Sequence, residues 1–283
     1  EAFAVGGCVR DSLLGRNPSD WDITTSAKPM EMKAVFYRTV DTGLQHGTVT
    51  VLVDKTGYEV TTYRVDGEYE DARHPKEVTF TVSLEEDLKR RDFTINAMAY
   101  NEKTGLVDLY GGMKDIQLRI IRCVGNPTER FTEDALRIMR AIRFSAQLGY
   151  EIEPDTKAAI TDLAQNLRYI SEERIQAELQ KLILSPNPQF LRTAYETGIT
   201  REFLPEFDRC METMQNTPHH CYTVGEHILK GMQLVEPDKI LRFTMLLHDI
   251  AKPLAKTTDE NGRDHFQGHA AMGEELARSI MRR

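Results

Sequence analysis

Two aspartates one residue apart, Asp20 and Asp22 in SDWDITTSA (19–27), have a spacing that points to chemistry. Alternate residues of a strand share a face, so in an extended segment both carboxylates project to one side while Trp21 and Ile23 turn toward a core. Carboxylates this close tolerate each other when they share a hard cation, and Mg²⁺ is usually held by one or two carboxylates together with substrate phosphates. The competing reading is a polar turn before a helix, where Ser and Asp are frequent. Just upstream, GGCVRD (6–11) offers paired glycines, including Gly7, that let backbone amides approach a phosphate. Arg10 adds a planar fork of donors suited to phosphate oxygens. Glu59, mid-strand in YEVTTYR (58–64), is either a third catalytic acid or part of a solvated strand face. In LKRRDFTINAMAYN (88–101), Arg90, Arg91 and Asp92 combine basic groups for phosphate with an acceptor for a ribose hydroxyl, or else form a charged helix face.

A second concentration lies near the end of the chain. Six of the eight histidines fall between positions 219 and 269, in HHCYTVGEHILKGM, LLHDIAKP and HFQGHAAMGEEL. A lone histidine is more often structural, but this density weakens that reading.

The rest of the chain must position these groups. With 283 residues, 40% hydrophobic and 28% charged, it is an ordinary globular composition with room for two or three domains. No apolar run approaches the roughly 20 residues that span a bilayer, so no membrane partner is expected. The four cysteines form no CxxC pair, which points to a reducing compartment, the cytoplasm, and argues against a thiolate zinc site. The chain opens with Glu1 close to the glycine motif and closes with RSIMRR in helical context, so we expect it to extend beyond both ends. The net charge of −8 speaks mildly against nucleic acid, yet residues 116–143 gather Arg119, Arg122, Arg130, Arg137, Arg140 and Arg143 against three acids, enough for a local basic band. TVTVLV (48–53), YEVTTYR and EVTFTV (77–82) read as strands between Gly- and Asp-rich turns. Beyond residue 126 the pattern turns helical, in NPTERFTEDALRIMRAIRFSAQLGY, DTKAAITDLAQNL and SEERIQAELQKLIL. An α+β head followed by an all-helical body is the expected fold.

The ordered motifs GGCVRD, DWD, RRDFTINAMA, DLYGG and EDALRIMRAIRF, spanning about residues 3–185, closely resemble the class II tRNA nucleotidyltransferases. These are the CCA-adding enzymes and bacterial poly(A) polymerases of the polymerase-β nucleotidyltransferase superfamily. The resemblance implies a nucleotidyltransferase head with a mixed sheet (1–125), a helical neck and body (126–205), and an HD-like helical domain (206–283). It also implies Mg²⁺ on Asp20 and Asp22 with Glu59 as third acid, phosphate contacts from Gly7, Arg10 and Arg91, and a sugar contact from Asp92. CTP, ATP and the tRNA 3′ end would be the substrates. Poly(A) polymerases and CC- or A-adding specialists of the family are the alternatives. CC-adding relatives lack part of the flexible loop after the catalytic sheet, and the presence here of RVDGEYEDARHPKEV (64–78) disfavours that one.

Read as one helix, EDALRIMRAIRF (133–144) puts Asp134 and Arg137 on one face. A carboxylate accepts from an exocyclic amino group and a guanidinium donates to a ring nitrogen. Cytosine and adenine both present that pattern on their Watson–Crick edges, whereas uracil and guanine do not. The matching family residues act as this protein template, and Arg140 and Arg143 are further nucleotide contacts by resemblance. Three-residue steps rotate the face back by about 60° each, so Arg143 should lie nearly opposite Asp134. The same stretch also reads as a salt-bridged amphipathic helix with Ile138, Met139 and Ile142 as its core stripe. Ser171 and Arg174 are read as cap and helix support.

The histidine-rich region resembles the HD phosphohydrolase superfamily, in which a histidine, a His-Asp pair and a later aspartate bind divalent metal. His227, His248 and Asp249 match, and His265 and His269 are further candidate ligands. The late aspartate is not identifiable before Arg283. The imidazoles suit a transition metal. A chain acting mainly as an HD-type metal-dependent phosphohydrolase is the alternative function from a different class.

Overall fold

A computed structural model describes residues 1–67, 78–217 and 221–283. Most of RVDGEYEDARHPKEV (64–78), the segment that disfavours CC-only addition, lies outside the described residues, as do His219 and His220. The chain divides into two compact units, Glu1–Asp134 and Ala135–Arg283.

The first unit is built on a seven-stranded sheet. Its strands are β1 (Ala2–Val5), β2 (Asp22–Thr25), β3 (Thr39–Gly43), β4 (Thr48–Val53) and β5 (Thr56–Thr62), with β8 (Met98–Asn101) and β9 (Gly105–Asp108). The short β6 (Arg64–Asp66) and β7 (Val78–Phe80) pair only with each other. The sheet runs β3-β4-β5-β2-β1-β8-β9, and β2 pairs with β5 in parallel while the other strand pairs are antiparallel, so the sheet is mixed as expected.

Alternation splits the core between the two faces. On one face, Ile23, Val49, Val51 and Val60 pack against Met32 of helix α2 (Pro29–Val35). Ala4 and Met98 meet Cys8 and Val9 of α1 (Gly7–Leu13), with Met113 and Ile116 of α4 (Gly112–Leu118) against the same cluster. On the other face Phe3, Val5 and Ala99 pack with Tyr63 and with Leu88 of α3 (Leu84–Lys89). Asp22 and Thr24 share that second face, because Thr24 pairs with Phe3. The unit closes with α5 (Pro127–Glu133), started by Asn126, whose side chain accepts from the Thr128 amide at 2.9 Å.

The second unit is helical. Its helices are α6 (Leu136–Leu148), α7 (Pro154–Leu163), α8 (Glu172–Ile183), α9 (Leu191–Glu196), α10 (Thr200–Phe203), α11 (Pro205–Glu212), α12 (Val224–Leu234), α13 (Lys239–Leu247), α14 (Lys252–Ala255) and α15 (His269–Ile280). Ile138, Met139 and Ile142 are fully buried, as the amphipathic pattern requires, and α6 packs on α8. Ser171 occupies the cap position of α8, but its side chain makes no capping bond; its backbone carbonyl instead accepts from the Arg174 and Ile175 amides. Among the described residues, no helix is long and apolar enough to cross a membrane.

Candidate active site and metal centre

The aspartate pair is arranged differently from a simple strand. β2 begins at Asp22, so Asp20 and Trp21 lie in the approach to it, and Trp21 is 44% exposed instead of facing a core. Ile23 does turn inward. The partner of Asp22 comes from across the sheet: the parallel register sets Asp22 directly beside Glu59, so both side chains leave the same face. Asp22 reaches solvent, yet surrounding protein pushes its carboxyl above the ordinary range. Arg91 pulls it down, and Asp20 adds to the rise. Asp22 and Glu59 thus leave the α3 face side by side, and Asp20 lies near enough to Asp22 for its charge to be felt there.

The glycine turn is tighter at Gly6 than at Gly7. Gly6 has φ 79° and ψ −130°, a backbone that favours glycine, and it carries the chain from β1 straight into α1. A Cβ there would come within 3.1 Å of Arg91 Nη1, so Arg91 lies across this turn. A Cβ at Gly7 would make only ordinary contact. Arg10 is buried, donating to Asn96 Oδ1 at 2.6 Å and to Asp11 at 2.9 Å. Asn96 also donates to Asp92 at 3.1 Å, while Asp92 accepts from the Phe93 amide at 2.8 Å. The structure therefore joins Arg10, Asn96 and Asp92 into one buried network.

The helix expected over 133–144 is broken. α5 ends at Glu133, Asp134 is extended (φ −140°, ψ 101°), and α6 starts at Leu136. Aspartate is a poor helix interior residue and is favoured just before a helix N-terminus. The argument that places Asp134 and Arg137 on one helical face therefore fails. Arg137 is buried in the first turn of α6, and Arg140 has its guanidinium 5.4 Å from the centre of the Phe144 ring. Arg143 is buried on an ion pair with Glu178 of α8, donates to Gln147 at 2.7 Å, and stacks 3.8 Å from the Phe144 ring centre. That leaves the expected nucleotide contact of Arg143 without support. The basic band is also thinner than its arginine count, because Arg122 bonds Asp115 and Arg130 bonds Glu133.

In the helical unit, His227 (α12), His248 (after α13) and Asp249 bring their ligand atoms within 4.8 Å of one another. His227 Nε2 lies 3.2 Å from His248 Nε2, and Asp249 Oδ2 lies 3.5 Å and 3.2 Å from the two imidazoles. The Met245 carbonyl lies 2.9 Å from His248 Nδ1, which orients the ring with Nε2 toward the cluster. His269 joins at 3.6 Å from Asp249 Oδ1; His265 does not, pairing instead with Asp259 at 2.9 Å. Burial pushes the Asp249 carboxyl up, but bonds from His248 and Lys252 outweigh it and hold it well below the usual range. Lys252 Nζ sits 2.7 Å from Asp249 Oδ2 and 3.0 Å from Gln215 Oε1. Two imidazoles and a carboxylate at this spacing fit a transition ion.

Residues 2–122 match the family described as "Poly A polymerase head domain", and residues 149–211 match "Probable RNA and SrmB- binding site of polymerase A". A CCA-adding enzyme of Leuconostoc mesenteroides is 47% identical over 266 residues, covering 92% of this chain and 66% of the relative. One from Lacticaseibacillus paracasei is 57% identical over 183 residues, covering 65% of this chain and 46% of the relative. The crystal structure of the Bacillus stearothermophilus CCA-adding enzyme in complex with CTP superposes with TM-score 0.66 at 32% identity, covering all of this chain and 78% of that one. The chain belongs to the CCA-adding enzyme family. It spans two thirds or less of the length of the first two of these relatives.

Within that family framework, Gly6 and Asn96 are the residues that motif reading underrated. Both sit inside quoted motifs, but their roles depend on what packs against them. Gly6 is required by its own positive φ and lies against Arg91, 85 positions away in sequence, while Asn96 is engaged by Arg10, 86 positions away.

Proposed function

We propose that this chain is a CCA tRNA nucleotidyltransferase that adds CMP and AMP from CTP and ATP to the tRNA 3′ end without a nucleic-acid template. The reading rests on family membership together with the β2–β5 register, which sets Asp22 beside Glu59 on the face that carries Arg91. The tRNA 3′-hydroxyl gives up its proton to solvent and attacks the α-phosphorus, an oxygen–phosphorus bond forms, and the bond to the β-phosphate breaks to release pyrophosphate. Asp20 and Asp22 would hold Mg²⁺, whose donor preference their carboxylates fit; bound there, it supplies positive charge to the attacking and leaving oxygens. Arg91 and the Gly6–Gly7 turn bind the triphosphate, and the Arg10–Asn96–Asp92 network orients the sugar. Asp134 and Arg137 share no helical face, so their role in selecting bases that pair an amino donor with a ring-nitrogen acceptor rests on the family resemblance alone. We divide the chain functionally into a catalytic head (1–125), a neck and body (126–205) and an HD-like domain (206–283), and expect it in the cytoplasm.

The deciding experiment offers tRNA ending before CCA, after the first C, or after the second C, with each labelled nucleotide in turn. CMP should enter at the first two positions, AMP at the third, and UTP and GTP should be refused. Long A tails on any RNA would move the chain to the poly(A) polymerases of the family.

A second reading concerns the histidine site alone. The His227–His248–Asp249 cluster supports an HD-type phosphohydrolase centre taking Ni²⁺, Co²⁺ or Mn²⁺. Its test is hydrolysis of a phosphomonoester or cyclic phosphodiester that is lost in His248→Ala while CMP addition survives.

A further inference from the structure

Asp87 is a fully buried carboxylate behind the nucleotide face, and none of the roles above uses it. A buried charge is costly unless it is paired and hydrogen-bonded, so its partners say what it is for. Oδ1 accepts from Arg90 Nη2 at 2.8 Å and from the Arg64 amide at 3.4 Å. Oδ2 accepts from Thr24 Oγ1 at 3.1 Å and from Arg91 Nη2 at 3.4 Å. The second oxygen is the informative one. It links Thr24, two residues beyond Asp22 on the same face of β2, to the arginine that crosses the Gly6 turn.

We propose that Asp87 is a positioning residue for nucleotide binding, holding Arg91 against strand β2 so that its guanidinium faces the triphosphate beside Asp22. The inference rests on the reading of the head as a nucleoside-triphosphate site. The end of α3 supplies the geometry: Asp87 lies in its last turn, Arg90 is the residue that closes the helix, and Arg91 follows it, which brings both guanidinium groups back to the carboxylate. Arg91 Nε makes no hydrogen bond among the described residues, so the bond from Nη2 to Asp87 is the side-chain tether of this guanidinium. Burial pushes the Asp87 carboxyl up, but Arg90 and Arg91, with bonds from Arg90 and Thr24, outweigh it and keep it ionised at neutral pH. Asp87 itself is shielded from substrate; it acts through Arg91.

The test measures equilibrium binding of CTP and ATP, steady-state KM and kcat, and melting temperature. It uses the full chain as wild type, Arg91→Lys, Asp87→Asn and the double variant. Asp87→Asn should weaken CTP and ATP binding alike, by about tenfold, raising KM for both while kcat at saturation and KM for tRNA stay near wild type. The double variant should lose no more than Arg91→Lys alone, because both changes remove the same interaction. Thr24→Val, which keeps the shape and loses the bond to Oδ2, should weaken CTP binding in the same direction, and Thr24→Ser should restore it. This pair carries the test if Asp87→Asn does not fold. Folded Asp87→Asn with wild-type CTP affinity, additive losses in the double variant, or equal losses for tRNA and nucleotide would overturn the proposal. If Arg91→Lys weakens CTP binding but Asp87→Asn and Thr24→Val do not, the positioning role alone falls. Wild type binding neither CTP nor ATP removes the underlying reading as well.

Discussion

Glu178→Ala tests whether Arg143 braces the helical unit or touches nucleotide. Both side chains of this pair are more than nine-tenths buried, and together they tie α6 to α8. Removing one partner of a buried pair strands the other charge and costs about 3–5 kcal/mol. Two neighbours soften the loss here. Gln147 still accepts from Arg143 at 2.7 Å, and the Phe144 ring still lies 3.8 Å from the guanidinium. Contacts of these kinds are each worth about 0.5–1.5 kcal/mol, about 2 kcal/mol together, which leaves a net cost of about 1–3 kcal/mol. For a unit of this size, that lowers the melting temperature by about 2–12 °C, read by circular dichroism. The double variant Arg143→Met, Glu178→Leu replaces the pair with apolar groups and should recover most of the stability. At 20 °C it should also incorporate CMP and AMP at near wild-type rates. Glu178→Ala melting within about 1 °C of wild type would refute the bracing argument. A stable double variant that no longer uses CTP or ATP would return Arg143 to the nucleotide site.

Asp22→Asn should abolish CMP addition in a single-turnover assay while leaving the circular dichroism spectrum unchanged, since the side chain is exposed and packs in none of the core clusters. Gly6→Ala should cost about 1–3 kcal/mol in a denaturant titration and weaken CTP binding, because the backbone is strained for alanine and the methyl presses on Arg91. His248→Ala should raise the calorimetric Kd for Ni²⁺ or Mn²⁺ by at least about tenfold, leaving CMP addition intact. The Asp264 carboxyl is held down to about 2 by bonds from Lys256 and the Asn216 amide. A depressed carboxyl stabilises the fold above its unfolded value, and that stability is lost as pH falls. The gap in stability between wild type and Asp264→Asn should therefore close between about pH 4 and pH 2, followed by urea unfolding at stepped pH.

Local pattern was enough for much of this protein. Strand alternation located β4, β5 and the inward turn of Ile23, and helical spacing located the buried stripe of Ile138, Met139 and Ile142, because period and polarity are properties of neighbouring residues. Motif order carried the family, and resemblance to the HD superfamily singled out His227, His248 and Asp249, whose ligand atoms come together. Tertiary structure decided the rest. The pairing of Asp22 with Glu59 depends on a parallel register between strands with two others intervening in the chain, which no local pattern encodes. His269 joins Asp249 and His265 does not, although they are four residues apart, because the first opens α15 and the second sits in a short strand beside Asp259. That Arg143 pairs with Glu178 of α8 was not legible either, because the partner comes from another helix. The break at Asp134 defeated the helix-face argument because apolar periodicity continues across a kink, whereas backbone direction does not. An ionisable side chain takes its role from the charge it finally meets, and for Arg143 that charge comes from Glu178, 35 residues along the chain.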